Sequence, residues 1–358
     1  MQQWARFAIL GAMFVTAYLL ILAWQKDYGH AAPAPQQQAA AVTAHEVSAD
    51  LPNAQNATAA SDLPQANVTA SQTTEHNTSV SQQLISVQTD LYHLWINPKG
   101  GDIVRIELLS HDESKDSDKP FVMLESDAKR TYVAQSGLIG LNGPDSSRGG
   151  RPMYDVEKTA YTLADAKSVA SKDGKTHQVL TVPLVFKTPE GVEVIKSFTF
   201  TQGDYPITVK HQVINRSQQN WQGQMFGQLK RDNSDDPGKS SQGIFTLGTY
   251  LGGAWGTPEA HYNKLKFANF NDEKLNVEAK GGWVAMVQHY FVSAWIPGNL
   301  KLTQADGQPY AAKLESRQSN DKMNIMGFTS PVINVPAGTS MEVDAKLYAG
   351  PKVQSELK

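Results

Sequence analysis

The segment from Gly281 to Pro297 constrains the fold more than any other part of the chain. Its sequence is GGWVAMVQHYFVSAWIP, and almost every residue between the glycine pair and the proline is apolar, with many aromatic and β-branched side chains. This pattern predicts two short buried strands with a break near Gln288 and His289. A run that is apolar on both faces has to be covered on both sides, so we expect it at the centre of a large core. Core packing is the interpretation we favour for it over direct chemistry.

Strand patterns continue through most of the chain after residue 84. Residues 85–91 alternate between apolar and polar side chains, which predicts a half-buried strand. The turn sequence TPEG at 188–191 separates two strand-like runs and predicts a hairpin, as does the turn at 98–101. The strand-like runs are residues 94–96, 103–109, 179–186, 192–200, 207–214, 224–229, 244–250, 325–328 and 341–347. Because no long helical periodicity precedes the C-terminus, we predict a mainly β fold, a large antiparallel sandwich.

The N-terminus carries a candidate membrane anchor. Residues 7–24 form a run of 18 residues without a charge, which at ~1.5 Å per residue can just span a bilayer core of roughly 30 Å. The positive charges before the run outweigh the balanced Lys26 and Asp27 pair after it, which places the N-terminus in the cytoplasm. A cleavable signal peptide is the alternative, but Pro35 follows its best cleavage site and the apolar run is long. The predicted anchor residues are Trp4, Arg6, Trp24 and Lys26.

Residues 29–83 have a very different composition. They are dominated by Ala, Gln, Thr, Ser, Asn and Pro and contain no aromatic residue. Such a segment buries too little apolar surface to offset the entropy lost on ordering, so we predict a disordered tether.

Composition and motifs exclude several classes of function. The formal net charge of −3 gives no basic footprint for nucleic acid, and the absence of cysteine excludes disulfides, iron–sulfur clusters and thiolate catalysis. The sequence PGKS at 237–240 resembles the end of a phosphate-binding loop, but Asn233 stands where the first glycine is required. The acidic run 232–236 lacks the glutamate of a calcium-binding EF-hand. We therefore predict no catalytic residue, no cofactor-binding residue and no metal site.

Two features leave alternatives open. His289 is the one histidine inside the central apolar run, and Glu278 is its nearest carboxylate in sequence, a pair of types that sugar-converting enzymes use. A histidine with a satisfied hydrogen bond is the simpler interpretation. A glycine-rich and aromatic stretch over 252–267 either permits a tight strand crossing or forms a partner surface. The residues of this candidate surface are Trp255, Tyr262 and Lys264.

Several segments, in the same order along the chain, resemble the YidC family of bacterial membrane protein insertases. The family-motif residues of the central run are Gly281, Gly282, Trp283, Tyr290, Phe291, Trp295 and Pro297. The other matching segments are residues 4–26, NPKGGD at 97–102, FTF at 198–200, GDYP at 203–206, FGQLK at 226–230 and LYAGP at 347–351. The resemblance covers the anchor and nearly all of residues 84–358, and leaves out the tether.

The resemblance implies an organisation and a function. The predicted parts are a transmembrane anchor (1–28), a disordered linker (29–83), a periplasmic β-supersandwich of galactose-mutarotase-like type (84–350) and the start of a helical element (351–358). Because family members continue into five further membrane spans, we expect the 358 residues to be an N-terminal part. The implied function is insertion, folding and assembly of inner-membrane proteins, not bond chemistry. The implied partners are inner-membrane lipid, nascent membrane proteins, and the Sec translocon with its SecDF auxiliary subunits.

A membrane-anchored carbohydrate-binding or carbohydrate-active protein of the same fold is the competing hypothesis. A concave site in which a histidine and a glutamate converge would favour it, whereas a hydrophobic cleft without that pair would favour the insertase.

Overall fold

A computed structural model describes residues 83–114, 117–145, 150–170, 174–237, 250–302, 307–319 and 321–352. The predicted anchor, the tether and most of the strand-like run 244–250 lie outside these residues. Within them, no helix is long and apolar enough to cross a membrane.

The described residues form strands joined by short connections. Two 3₁₀ turns, Leu163–Asp165 and Phe267–Asn269, are the helical segments among them. The strands are β1 (Ile85–Gln88), β2 (Tyr92–Asn97), β3 (Asp102–Asp112), β4 (Pro120–Ser126), β5 (Thr131–Ile139), β6 (Asp155–Val156), β7 (Ala160–Thr162), β8 (Lys167–Ala170), β9 (Thr176–Lys187), β10 (Val192–Thr201), β11 (Pro206–Asn215), β12 (Trp221–Arg231), β13 (Gly252–Gly256), β14 (Asn263–Lys266), β15 (Asn276–Lys280), β16 (Trp283–Val287), β17 (Phe291–Leu302), β18 (Gln308–Pro309), β19 (Ala311–Gln318), β20 (Asn324–Thr329), β21 (Ile333–Val335) and β22 (Ser340–Pro351).

These strands make two sheets that face each other. The first sheet has the order β15-β19-β20-β12-β5-β4-β3-β2-β1-β7, with β21 paired to β12. The second has the order β14-β13-β16-β17-β22-β11-β10-β9-β6, with β18 on β17 and β8 on β9. All pairings except that of β1 with β7 are antiparallel. The prediction of a mainly β, antiparallel sandwich is therefore confirmed.

The predicted hairpins and the break in the central run are also confirmed. Strand β2 pairs with β3 across the 98–101 turn, and β9 pairs with β10 across the 188–191 turn. The central run divides into β16 and β17, which pair with each other on either side of residues 288–290. A positive φ of 76° at Gly281 lets the chain turn into β16, a conformation that side chains with a Cβ rarely adopt.

The core lies between the sheets, and alternate residues of the central run belong to it: Val284, Met286, Phe291 and Trp295. The residues between them, such as Ala285 and Val292, are buried in a second, smaller cluster. Trp295 is 1% exposed and meets Phe328 of the opposite sheet edge-to-face, with ring centroids 6.1 Å apart. Tyr290 and its neighbour His289 are exceptions, since both are exposed, Tyr290 to 70%. The expectation that the whole run is buried is wrong at these two residues, because they form the turn between β16 and β17 at the surface.

The end of the domain differs by one residue from the predicted boundary at 350. Pro351 is the last residue of β22, opposite Phe291, rather than the first residue of a helix. The rest of the predicted helical element, residues 353–358, lies outside the described residues.

A buried polar cluster joins the two sheets at the middle of β10. The ammonium group of Lys196 on β10 donates to the carbonyl oxygens of Gly100 (2.9 Å) and Ser136 (2.8 Å). Arg151 makes ion pairs with Asp102 and Asp145 beside it. Burial lowers the pKa of Lys196 to about 7 and raises that of Asp145 to about 6. The cluster therefore contains groups whose charged forms are costly to bury. Each charge is stabilised only by the opposite charges beside it.

The buried lysine predicts a rise of stability in alkali. Because its pKa falls from 10.5 to about 7 on folding, the unfolded chain binds more protons than the folded chain between those values. The free energy of unfolding should therefore increase as the pH rises through this window. In Lys196→Met this contribution should disappear, while Lys187→Met, at an exposed position, should keep it. Urea unfolding of the full chain in detergent from about pH 7 to 10 checks this; equal slopes in both variants would contradict it.

Candidate functional site

A cleft of about 810 Å³ opens between the two sheets at one end of the sandwich. Six stretches of the chain build it: the end of β3 with the following loop, Phe121 of β4, the segment after β12, the residues just before β13, the turn between β16 and β17, and the end of β22. The volume lies within the range of pockets that hold ligands or short apolar segments. The central run of the sequence therefore contributes to a surface site as well as to the core.

The floor of the cleft is aromatic. Phe121 and Phe291 stack with ring centroids 4.1 Å apart and an interplanar angle of 24°. His111 meets the edge of Phe291 at 5.3 Å, and burial lowers the pKa of this histidine. The neutral imidazole therefore extends an apolar floor formed by residues from both sheets.

The turn at 288–290 shapes the mouth. The backbone amide of Gln288 donates to the carbonyl of Phe291 at 2.9 Å, and the amide of Lys352 donates to the carbonyl of Tyr290 at 2.8 Å. These bonds fasten the end of β22 to the turn and leave the Tyr290 ring exposed above the floor. An exposed tyrosine beside an apolar floor suits contact with a partner, because its ring is apolar and its hydroxyl is polar.

The rim of the cleft is acidic. Asp112 and Glu113 lie on one side, with Asp235 and Asp236 on another, and Lys352 adds one positive charge to the lining. Asp236 pairs with Arg231 at 3.3 Å and with Arg130 at 3.5 Å, and it accepts a hydrogen bond from Gln288 Nε2 at 2.6 Å. The side-chain oxygen of Gln288 is buried and has no hydrogen-bond partner among the described residues. The cleft thus offers an unused acceptor and negative charge around an apolar floor.

The candidate partner surface lies on the edge of the second sheet next to the cleft. Tyr262 precedes the edge strand β14 and its ring lies 6.0 Å from that of Trp283. Lys264 stands 4.9 Å over the ring of Tyr250, which lines the cleft. Trp255 on β13 is half-buried opposite Asn263. The structure therefore brings these predicted residues to one edge; their role as a docking surface stays a prediction.

The family-motif residues have several different places. Phe291 lies in the cleft floor, Tyr290 at its mouth and Trp295 in the core. Trp283 is half-buried on the other face of the second sheet, and Pro297 precedes a shift of register between β17 and β22. Gly282 is buried, and a Cβ there would come within 2.8 Å of Leu314. The motif therefore combines packing, turn geometry and part of a surface cleft.

The histidine and glutamate of the carbohydrate-active hypothesis do not share a site. His289 lines the cleft, whereas Glu278 lines a separate small cavity against β12 and β20. In the part of the chain that the structure describes, no group of three or more His, Asp or Glu side chains is placed to hold a metal ion. The rim and floor of the cleft were not predicted, because His111, Asp112 and Asp235 each read as ordinary loop residues in sequence.

Comparisons with known proteins agree on one family. A family profile described as "YidC periplasmic domain" matches residues 84–358. Proteins named membrane protein insertase YidC from Pseudomonas putida GB-1 and Stutzerimonas stutzeri A1501 are each 40% identical over 354 residues, 99% of this chain. The chain spans 59% of the length of these relatives.

Solved structures resemble the sandwich more distantly. A galactose mutarotase related enzyme from Lactobacillus acidophilus, 11% identical, gives a TM-score of 0.45 and matches 75% of this chain and 100% of its own. With the profile match and the relatives taken together, the chain belongs to the YidC family, as the resemblance in its sequence predicts.

Proposed function

We propose that the protein is a membrane protein insertase and chaperone that aids insertion, folding and assembly of proteins in the bacterial inner membrane. Relatives that carry this name are 40% identical over 99% of the chain, which spans 59% of their length, and this supports the proposal. The N-terminal anchor would place its start in the cytoplasm and residues after about 25 in the periplasm. Inner-membrane lipid and nascent membrane proteins would be its partners, working alone or with the Sec translocon.

The work so proposed is physical transfer rather than bond chemistry. Apolar segments partition into lipid spontaneously, while the polar groups that flank them resist entry into the hydrocarbon. A domain beside the membrane helps if it shields an apolar segment from water before transfer. The observation that carries this proposal is the cleft between the sheets. Its floor is the stacked pair Phe121 and Phe291, and acidic residues line its rim. Its charge would favour segments in which lysine or arginine neighbours the apolar residues.

The edge formed by Trp255, Tyr262 and Lys264 is proposed as a second contact, for SecDF auxiliary subunits of the translocon. Its position next to the cleft supports this, because a client leaving the translocon would then reach the cleft directly. Tyr262 is 54% exposed at this edge, and exposed aromatic rings are typical of interface hot spots, whereas Trp255 is half-buried and packs against the core.

Site-specific photo-crosslinking in cells tests the cleft. A crosslinking residue at Tyr290, with 70% of its side chain exposed at the mouth, should capture nascent membrane proteins. The matched control is Leu141, 80% exposed, which follows β5 near the start of β12, while the cleft adjoins the residues after the end of that strand. The same crosslinking residue at position 141 should capture several-fold less of these nascent proteins. Depletion of the protein should also lower protease protection of the same clients.

Two results would overturn separate parts of the proposal. Equal capture at positions 290 and 141 would remove the cleft as a client site. Unchanged client insertion after depletion would remove the insertase function itself.

A further inference from the structure

A small polar cavity on the outer face of the first sheet shares no lining residue with the cleft and has no role in the proposed function. Its volume is about 160 Å³, and it lies where β12, β19, β20 and the edge strand β15 meet. The lining side chains that matter for the argument are Gln224, Glu278, Lys313 and Thr329. At ~30 Å³ per water molecule it would hold about five waters, so any ligand has to be small.

Strand register places these side chains on the face away from the core. Glu278 lies opposite Lys313, and Lys313 lies opposite Thr329. The alternate residues of the same strands, such as Leu314 and Phe328, point into the core. Because side chains alternate along a strand, the three polar groups form one row across the outer face.

One side chain in this row points to a ligand. Thr329 is 4% exposed, and its hydroxyl has no hydrogen-bond partner among the described residues. A buried hydroxyl without a partner is costly, so its retention needs a reason. A group bound in the cavity would satisfy it, and Glu278 and Lys313 are the charged side chains that line the same space.

The neighbouring row is already rigid. Arg317 donates to Gln228 at 2.7 Å, and Gln228 donates to Gln135 at 3.0 Å. Arg317 also pairs with Glu315 at 2.8 Å. Side chains fixed by such bonds lose little entropy when a ligand arrives, which makes the face suitable for weak polar ligands.

Charge balance decides which polar ligand fits. Lys313 lies opposite Glu278 in the strand register, and its ammonium group is 3.6 Å from Glu315, which also pairs with Arg317. The two cations and two carboxylates therefore leave this face with no net charge. A phosphate or carboxylate would meet the glutamate, and a cation would meet the lysine. A neutral molecule with adjacent hydroxyl groups instead donates to the carboxylate and accepts from the ammonium group and from the threonine. We propose that this cavity binds a single ring of a neutral sugar, as found at the end of a glycan.

Ligand-observed saturation-transfer NMR tests this on the full chain in detergent. Glucose, galactose and N-acetylglucosamine are the probes, with inorganic phosphate as a charged comparison. At least one sugar should give a saturable signal at millimolar concentration. In Lys313→Met the affinity should fall about tenfold, the loss expected when a charged hydrogen bond is removed. The control Lys301→Met, an exposed lysine on the second sheet, should leave the affinity unchanged.

A second variant separates binding from folding. Thr329→Val keeps the shape of the side chain but removes a hydroxyl that no described residue satisfies, so the free energy of unfolding should stay equal or rise. Its sugar affinity should nevertheless fall several-fold. Absence of a saturable signal from every sugar, a signal that survives in both variants, or tighter binding of phosphate would each overturn the proposal. None of these results bears on client capture at Tyr290, so the two proposals fail separately.

Discussion

Replacing Trp295 by alanine should lower the free energy of unfolding by about 3–5 kcal/mol, the usual cost of truncating a buried tryptophan. The side chain is almost completely buried and packs against Phe328 where the two sheets meet. Neither sheet can move in to fill the space, because β17 is held on both sides by β16 and β22. The cavity would therefore persist. Urea unfolding followed by far-ultraviolet circular dichroism measures the loss without depending on the fluorescence of the removed ring.

Tyr290 provides the matched control, since it is an aromatic residue five positions earlier in the same run. With its ring largely exposed, Tyr290→Ala should change the free energy of unfolding by less than about 0.5 kcal/mol. Trp295→Phe should recover much of the stability, because the indole nitrogen is buried without a hydrogen-bond partner among the described residues and its removal costs nothing. Similar losses of unfolding free energy in Trp295→Ala and Tyr290→Ala would contradict the assignment of Trp295 to the core and of Tyr290 to the surface.

Periodicity predicts the strands because the alternation of apolar and polar residues along a strand reflects which of its two faces is buried. Residues of β2 and β11 alternate between buried and half-buried along their length, as their sequences do. The break at Gln288 was predictable for the same reason, since polar residues interrupt an apolar run there. The exposure of Tyr290 is not predictable in this way, because the residue type alone does not show whether an aromatic side chain lies in a turn or in a strand.

Long-range pairing and the candidate sites could not be predicted in the same way. Strand β12 pairs with β5 and β20, and alternation says only which face of a strand is apolar, not which strand lies beside it. The cleft and the polar cavity both depend on such pairings. Nearness in sequence suggests Glu278 as a partner of His289, yet strand register places Glu278 opposite Lys313.

The buried ion pairs show the limit of sequence reasoning most clearly, since Asp102 and Lys196 look like ordinary polar positions of two strands. Arg151 bridges them to the loop after β5: it pairs with Asp102 and with Asp145 (3.1 Å) and donates to the carbonyls of Gly100 and Ser136. One guanidinium therefore pairs with two buried carboxylates, and the ammonium group of Lys196, which donates to the same two carbonyls, supplies the second positive charge when it is protonated. Such groups are retained only as a complete set, because each charge alone is costly to bury.

Arg151→Met should accordingly lower the free energy of unfolding by about 3–5 kcal/mol at neutral pH, the usual cost of removing one partner of a buried ion pair. The surface pair of Arg216 and Glu193 gives the matched control, as its atoms are 2.6 Å apart but the arginine side chain is 63% exposed. Arg216→Met should cost less than about 1 kcal/mol. Urea unfolding of both variants in detergent makes the comparison.

The pH dependence distinguishes lost charge from lost packing in Arg151→Met. Burial already raises the pKa of Asp145 to about 6, and removing the arginine raises the folded-state pKa further. The folded variant then binds more protons than the folded parent above that value, so the variant loses stability relative to the parent as the pH rises through about 6 and regains it on acidification. A deficit that stays constant between about pH 5 and 8 would mean that the arginine stabilises the domain through its contact with Phe226, over which it lies at 5.5 Å, and not through the carboxylates.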